Sequence, residues 1–196
     1  MTARAAHERA FTLRSICAMV FLACAVLALP APSHAQVTGE AQANERSVMA
    51  AYIYRFITYV EWPVSAFASP EAPIVIGVVN ADGIAGELDQ IVQGRTAQGR
   101  RLQVRRLAPG DALTGINVLF VGGDGAQRAL QAAKLLTERP VLTITGVERG
   151  MDHGSVINFV HVDGRVRFEV NVGAAEKSGL RLSSRLLTVA TRVRAN

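Results

Sequence analysis

Cysteine is nearly absent from the sequence. The chain of 196 residues has two, Cys17 and Cys24, and both lie in an N-terminal segment that we expect to be removed. The residues that follow therefore form no disulfide and no thiolate metal site, and they offer no cysteine nucleophile. The stability of the folded domain has to come from its apolar core.

Long apolar runs are also missing. The longest, residues 16–29, is shorter than the roughly 20 residues that a membrane-spanning helix needs. Arginines precede this run and the small-residue stretch Ser-His-Ala follows it, which is the pattern of a secretory signal peptide. We expect cleavage after Ala35, a flexible polar arm over residues 36–46 and one domain over residues 47–196. Acylation of Cys24 is disfavoured, because the apolar run continues to Leu29.

Concentrated positive charge and catalytic motifs are missing too. Without residues 1–35 the chain has 18 Lys and Arg against 15 Asp and Glu, and its basic residues occur in pairs, not in a block. This distribution argues against nucleic-acid binding. His153 and His161 match no metal-ligand spacing, and no Gly-x-Ser-x-Gly elbow is present. We therefore expect neither an enzyme nor a cofactor.

The sequence does contain alternating helix and strand patterns. Apolar residues at helical spacing predict an amphipathic helix from Ser47, which Pro63 ends near Glu61. Buried-strand runs at residues 73–80, 116–123 and 140–146 alternate with helices predicted over residues 82–94 and 126–138, and residues 101–107 read as a half-buried strand. This order predicts a three-layer α/β fold, with a mostly parallel sheet and helices on both faces. A lead-in strand and a Ser-capped helix close the chain.

A C-terminal antiparallel β-hairpin is predicted around Asp163-Gly164, a strong two-residue turn signal. Pairing Val162 with Arg165 places Ile157, Phe159 and His161 on the apolar face, so that His161 is a packed or rim residue. Arg165, Arg167 and Glu169 lie on the other face, with Arg181 and Arg185 downstream. That face is either a solvated surface or a contact patch for a partner.

A ligand crevice is the other candidate site. The carboxyl ends of parallel strands are where open α/β sheets bind ligands. Residues at or just after the carboxyl ends of two predicted strands would line such a crevice: Asn80, Asp82, Gly122 and Asp124. The glycine-rich turns there match neither a dinucleotide fingerprint nor a phosphate-binding loop, so glycine also has an ordinary turn role at these positions.

The order of the segments resembles that of the YfiR-like family of periplasmic proteins. The helix "RSVMAAYIYRFITYVEWP" is similar to the opening helix of that family, which ends in Glu-Trp-Pro or a close variant. The segments "PIVIGVV", "QGRRLQV", "INVLFVG", "PVLTITG", "GSVINFV" and "VRFEVNVGAAEKSGLRLSSRLLTVA" follow in the family order. The resemblance covers about residues 47–193.

The resemblance implies a non-enzymatic repressor. Its expected partner is the periplasmic domain of an inner-membrane diguanylate cyclase, or of a sensor kinase, and repression lowers cyclic-di-GMP output and biofilm formation. An outer-membrane lipoprotein is a second expected partner, and the family implies a homodimer. The resemblance carries over only the Glu61-Trp62-Pro63 ending, and we take Glu61 and Trp62 as candidate partner-binding residues. The best-studied members carry paired cysteines that respond to oxidation, whereas this chain has none after residue 35.

Two functional hypotheses follow from the sequence. The first is a periplasmic regulator that binds a signalling protein, with Glu61, Trp62, Arg165, Arg167 and Glu169 as contact residues. The alternative is a periplasmic protein that binds a small ligand in the crevice. A thermal-shift screen discriminates between them, since a ligand that binds the folded state raises the melting temperature.

Overall fold

The computed structural model describes residues 34–123 and 139–195, with side chains from Gly39 onward. The predicted signal peptide lies outside the described residues except for its last two positions. Asp124 and the helix predicted over residues 126–138 also lie outside them. No described helix is long and apolar enough to cross a membrane.

Helix α1, His34–Tyr59, opens the described chain and begins earlier than the sequence indicated. Residues 36–46, expected as a flexible arm, are helical, because a docked helix extends readily through residues such as Ala, Glu and Gln that favour helix. The helix ends before Glu61. Val60–Glu61 is instead a short strand, β1, which pairs antiparallel with β9, Arg181–Leu182.

An eight-stranded sheet forms the centre of the domain and confirms the α/β class. Strands β2 (Ile74–Val79), β4 (Arg100–Leu107), β5 (Val118–Val121), β6 (Leu142–Thr145) and β7 (Ile157–Val162) run parallel. The spatial order is β10-β8-β7-β6-β5-β2-β4-β3, in which β3 is Thr96–Ala97, β8 is Arg165–Asn171 and β10 is Arg192–Arg194. Helix α2, Asp82–Val92, connects β2 to the β3–β4 edge.

The C-terminal hairpin has the predicted register. Strands β7 and β8 are antiparallel, with Val162 opposite Arg165 and Phe159 opposite Phe168. Helix α3, Val172–Lys177, follows β8, and helix α4, Ser184–Val189, is capped by the Ser183 hydroxyl as predicted. The final strand β10, which the sequence did not indicate, pairs parallel with β8.

The core lies between α1 and one face of the sheet. Phe56 of α1 is 1% exposed, and its ring lies 4.8 Å from that of Phe168 and 5.8 Å from that of Phe159. Tyr52 stacks beside Phe56 at 5.8 Å. The opposite face of the sheet has a second buried apolar cluster: Val79, Leu107, Ile116, Leu119, Val121 and Val141. Successive side chains of a strand point to opposite faces of the sheet, so the apolar residues are divided between its two faces.

Candidate functional site

The Glu61–Trp62 segment, just after the end of α1, is the first predicted contact site. Glu61 is exposed, and its carboxylate lies 4.0 Å from the Arg181 guanidinium, with the two side chains 76% and 87% exposed. Trp62 packs in part against the core, and its buried indole Nε1 has no hydrogen-bond partner among the described residues. This end of the helix presents an exposed ion pair beside a half-buried aromatic ring.

Polar side chains from distant segments hold this end in place. The Gln98 amide donates hydrogen bonds to the carbonyl oxygens of Ile57 at 3.0 Å and Val60 at 2.5 Å. The Tyr59 carbonyl accepts a hydrogen bond from the backbone N–H of Ser183 at 2.9 Å. These contacts satisfy carbonyl groups that a helix leaves free at its C-terminus. Gln98 was not singled out in the sequence, since nothing local relates it to a helix about forty residues earlier.

A buried asparagine supports the turn that follows Pro63. Asn117 is 4% exposed, and its amide nitrogen donates to the Ala66 carbonyl at 3.0 Å. Its amide oxygen accepts a hydrogen bond from the backbone N–H of Val75 at 2.9 Å. The short 3-10 segment Val64–Ala66 is thereby tied to the first residues of β2 and β5. Val64 in this turn is 89% exposed.

The second predicted patch is divided between two surfaces. Arg165 and Arg167 line a groove with the outward side of α1, whereas Glu169 lies beside β10 and pairs with Arg192 at 3.1 Å. The expected solvated face is therefore only partly exposed, because β10 covers the Glu169 end and leaves that side chain 17% exposed. His161 is a rim residue: its side chain is 58% exposed, and its Nε2 lies 3.0 Å from the Glu45 carboxylate.

The predicted crevice residues follow the carboxyl ends of β2 and β5. Asn80 adopts a left-handed conformation with φ of 54° directly after β2, and Asp82 begins α2. Gly122, directly after β5, donates its N–H to the Val79 carbonyl at 3.0 Å. A side chain at Gly123 would meet the Asn80 carbonyl oxygen at 2.6 Å, so the two turns are in close contact. With Asp124 outside the described residues, ligand binding at these turns stays a prediction.

No group of three or more His, Cys, Asp or Glu side chains within the described ranges could hold a metal ion. Among these residues the titratable group with a clear shift is Asp152. Its pKa is held below the usual carboxyl value by hydrogen bonds from Arg194 and then Arg149. Sequence reasoning missed the contact between Asp152 and Arg194, which are distant in the chain, although Arg149 and Asp152 have the spacing of a local pair.

Comparison with known proteins places the domain in a family. No curated protein sequence matches the chain. Residues 46–191 match the sequence profile described as YfiR/HmsC-like, and this match includes α1 from Arg46, the parallel strands, the hairpin and α4. The predicted resemblance is confirmed over nearly the whole described domain: the chain belongs to the YfiR/HmsC-like family.

Proposed function

We propose that the protein is a periplasmic regulator that binds the periplasmic sensor part of an inner-membrane signalling protein. A diguanylate cyclase is the proposed partner, and binding lowers its output of cyclic-di-GMP. The family match over residues 46–191 is the observation that carries this proposal. The signal-peptide pattern of residues 1–35 supports export.

Repression by binding requires a difference in affinity between two states of the partner. The protein has to bind the inactive state of the cyclase more tightly than the active state, because a ligand shifts an equilibrium only by its differential affinity. No chemical step by this chain is needed. We assign the contact first to the Glu61–Trp62 segment just after α1, where an exposed carboxylate and a partly packed indole occur together.

The hairpin residues form a second contact region in this proposal. Arg165 is exposed at the turn-proximal end of β8, and Arg167 lines the same groove beside α1. Neither arginine forms an ion pair with a described acidic residue. Exposed arginines of this kind suit an acidic surface on a partner and act mainly on association rate and specificity.

Deletion of the gene tests the regulatory role. We expect cyclic-di-GMP and biofilm formation to rise in the deletion strain, because the cyclase is released from repression. Expression of the chain from a plasmid should return both to the parental level, whereas a version without residues 1–35 should not, since it stays in the cytoplasm. Unchanged cyclic-di-GMP in a strain shown to make the protein would refute the proposal.

A periplasmic pull-down identifies the partners. The tagged chain should retain the cyclase, and an outer-membrane lipoprotein that sequesters the regulator should compete with the cyclase for it. We also expect a homodimer, which light scattering on the purified chain measures directly. Capture of the lipoprotein without a cyclase or sensor kinase would argue for a different signalling target.

A further inference from the structure

A cleft opens beside the carboxyl end of β6, on the side of the sheet that β7, β8 and β10 form. Its volume is about 410 Å³, and polar and charged side chains line much of it: Arg149, Asp152, Asn158, Glu169, Arg192 and Arg194. This cleft is separate from the crevice residues that the sequence predicts after β2 and β5. We refer to it as the arginine cleft.

Buried polar groups underlie the arginine cleft. Asn158, which lines it, is 2% exposed, and its amide oxygen accepts a hydrogen bond from the Thr145 hydroxyl at 2.7 Å. Thr145 is fully buried, and its Oγ1 lies 3.3 Å from Oγ of Ser155. The amide nitrogen of an asparagine carries two N–H donors, so the lining of the cleft includes a buried side chain that can donate hydrogen bonds.

Three guanidinium groups line the cleft and contact only two carboxylates. Arg149 Nε and Arg194 Nη1 both bind Asp152, at 2.9 and 2.8 Å, and Arg192 Nε binds Glu169 at 3.1 Å. Each contact uses one of the five N–H donors of a guanidinium. Over the whole lining the three arginines are balanced by three carboxylates, those of Glu148, Asp152 and Glu169. Glu148 also lines the cleft but forms no ion pair with a described residue.

Apolar side chains complete the lining. Val147, Met151 and Phe159 also line the cleft. Sites for small molecules are commonly about 300–1,000 Å³ in volume and combine apolar surface with a few polar groups that orient the ligand. The arginine cleft has both components.

We propose that the arginine cleft binds a small organic carboxylate with an apolar body. A guanidinium matches the planar carboxylate with two parallel hydrogen bonds. Asp152 shows that a carboxylate fits between Arg149 and Arg194, and guanidinium N–H donors remain on both arginines after that contact. The apolar wall then contacts the rest of the ligand. This proposal does not depend on the regulatory function.

Sodium benzoate is a suitable probe, with benzamide as its neutral counterpart of the same shape. We expect benzoate to shift the backbone amide resonances of Gly146 and Gly150 saturably in ¹⁵N-labelled protein, while that of Gly110 stays unchanged. Benzamide should bind at least about tenfold more weakly, as loss of a charged hydrogen-bond pair implies. Sodium chloride at equal ionic strength should cause no saturable shift.

Two substitutions with opposite effects sharpen the test. Arg194→Gln should weaken benzoate binding by about tenfold or more, and Asp152→Asn should strengthen it by removing the competing carboxylate. Arg101→Gln, on the exposed side of β4, is the matched control and should change nothing. Arg149→Gln, whose side chain is 75% exposed, replaces Arg194→Gln if that variant fails to fold.

The proposal is overturned by any of three results. These are the absence of saturable shifts up to the solubility of benzoate, equal binding of benzoate and benzamide, and equal benzoate affinity in the wild type and the arginine variants. Saturable binding of inorganic phosphate without binding of benzoate would also overturn it, because the ligand would then be a different class of anion.

Discussion

At the scale of single residues, Gln98 has the clearest structural role. It lies in the tight turn between β3 and β4 with φ of 54°, and its amide reaches the end of α1. A buried or half-buried hydrogen bond contributes about 0.5–1.5 kcal/mol, and an acceptor left without a partner costs more. The two bonds from Gln98 therefore connect the β3–β4 edge to the contact region at Glu61.

Gln98→Ala is expected to lower the free energy of unfolding by about 1–3 kcal/mol, since two carbonyl groups lose their donor. Urea unfolding followed by circular dichroism measures the change. Gln98→Gly removes the same hydrogen bonds but tolerates the left-handed backbone, so it separates the loss of the cap from backbone strain. Wild-type stability in the alanine variant would show that the cap contributes nothing.

Asp152 gives a prediction on pH dependence. Its pKa is lowered in the folded state, first by the hydrogen bond from Arg194 and then by that from Arg149. A carboxyl whose pKa is lowered by folding contributes stability at pH values above its pKa in the unfolded chain, about 3.9. This contribution is lost as the pH falls through its pKa in the folded protein. Wild-type protein should thus be more stable than Asp152→Asn at neutral pH.

The measurement is the free energy of unfolding of both proteins between neutral pH and strongly acidic pH. Their difference should shrink below about pH 4, where the aspartate becomes protonated in the unfolded chain. Glu71→Gln, a change at an exposed carboxylate without an ion pair to described residues, is the control measured in parallel. A difference that stays constant into acid would contradict the assigned cause.

At the scale of elements, the 3-10 segment Gly150–His153 requires a glycine at its start. A side chain at Gly150 would collide with the Thr145 hydroxyl and the Asn158 amide oxygen, both of them buried. Gly86 in α2 is the opposite case, because nothing lies within 4 Å of the position that its Cβ would occupy. The two glycines therefore respond differently to the same substitution.

Gly150→Ala is expected to destabilise the protein by about 1–3 kcal/mol, as overpacking of a well-packed site does. Gly86→Ala should stabilise it by about 0.5–1 kcal/mol, because alanine favours the interior of a helix over glycine. Thermal and urea unfolding of the two variants measure whether each substitution lowers or raises the stability. An unchanged free energy of unfolding in Gly150→Ala would mean that the segment moves away from β6 and β7 without loss of stability.

Elements with a strong local signal were predicted well. The Asp163-Gly164 turn determines the β7–β8 register, and the apolar runs identify β2, β5 and β6. Strand β10 was missed because Arg-Val-Arg is short and polar, and its pairing partner Glu169 is distant in sequence. The N-terminal extension of α1 was missed for a related reason: residues 36–46 have helix-favouring composition but no apolar stripe.

At the scale of the whole molecule, the aromatic residues that cluster in the sequence join α1 to the C-terminal hairpin. Tyr52 and Phe56 contact Phe159 and Phe168, with ring centroids 4.8–6.1 Å apart. The sequence predicted the amphipathic helix and placed Phe159 on the apolar face of the hairpin. It could not predict the arrangement around Glu61, because Gln98 and Arg181 reach that site only through the folded topology.

The exposed ion pair between Glu61 and Arg181 allows the partner contact to be tested separately from the fold. Exposed pairs of this kind contribute about 0–1 kcal/mol, so Glu61→Lys should change the free energy of unfolding by no more than about 0.5–1 kcal/mol. If Glu61 faces the cyclase, the same substitution should raise cyclic-di-GMP to the level of the deletion strain. A charge reversal at an interface places like charges together and weakens binding.

Arg165→Glu is the matching charge reversal in the hairpin region. Its effect on cyclic-di-GMP shows whether that second region also contributes to the partner contact. The double variant Glu61→Lys/Arg181→Glu restores the internal ion pair but presents reversed charges to a partner. It should therefore be as stable as the wild type and still fail to repress. Repression by the double variant, with Glu61→Lys alone inactive, would show that the pair acts within the protein. Full repression by Glu61→Lys and by Arg165→Glu would exclude both regions as the contact surface.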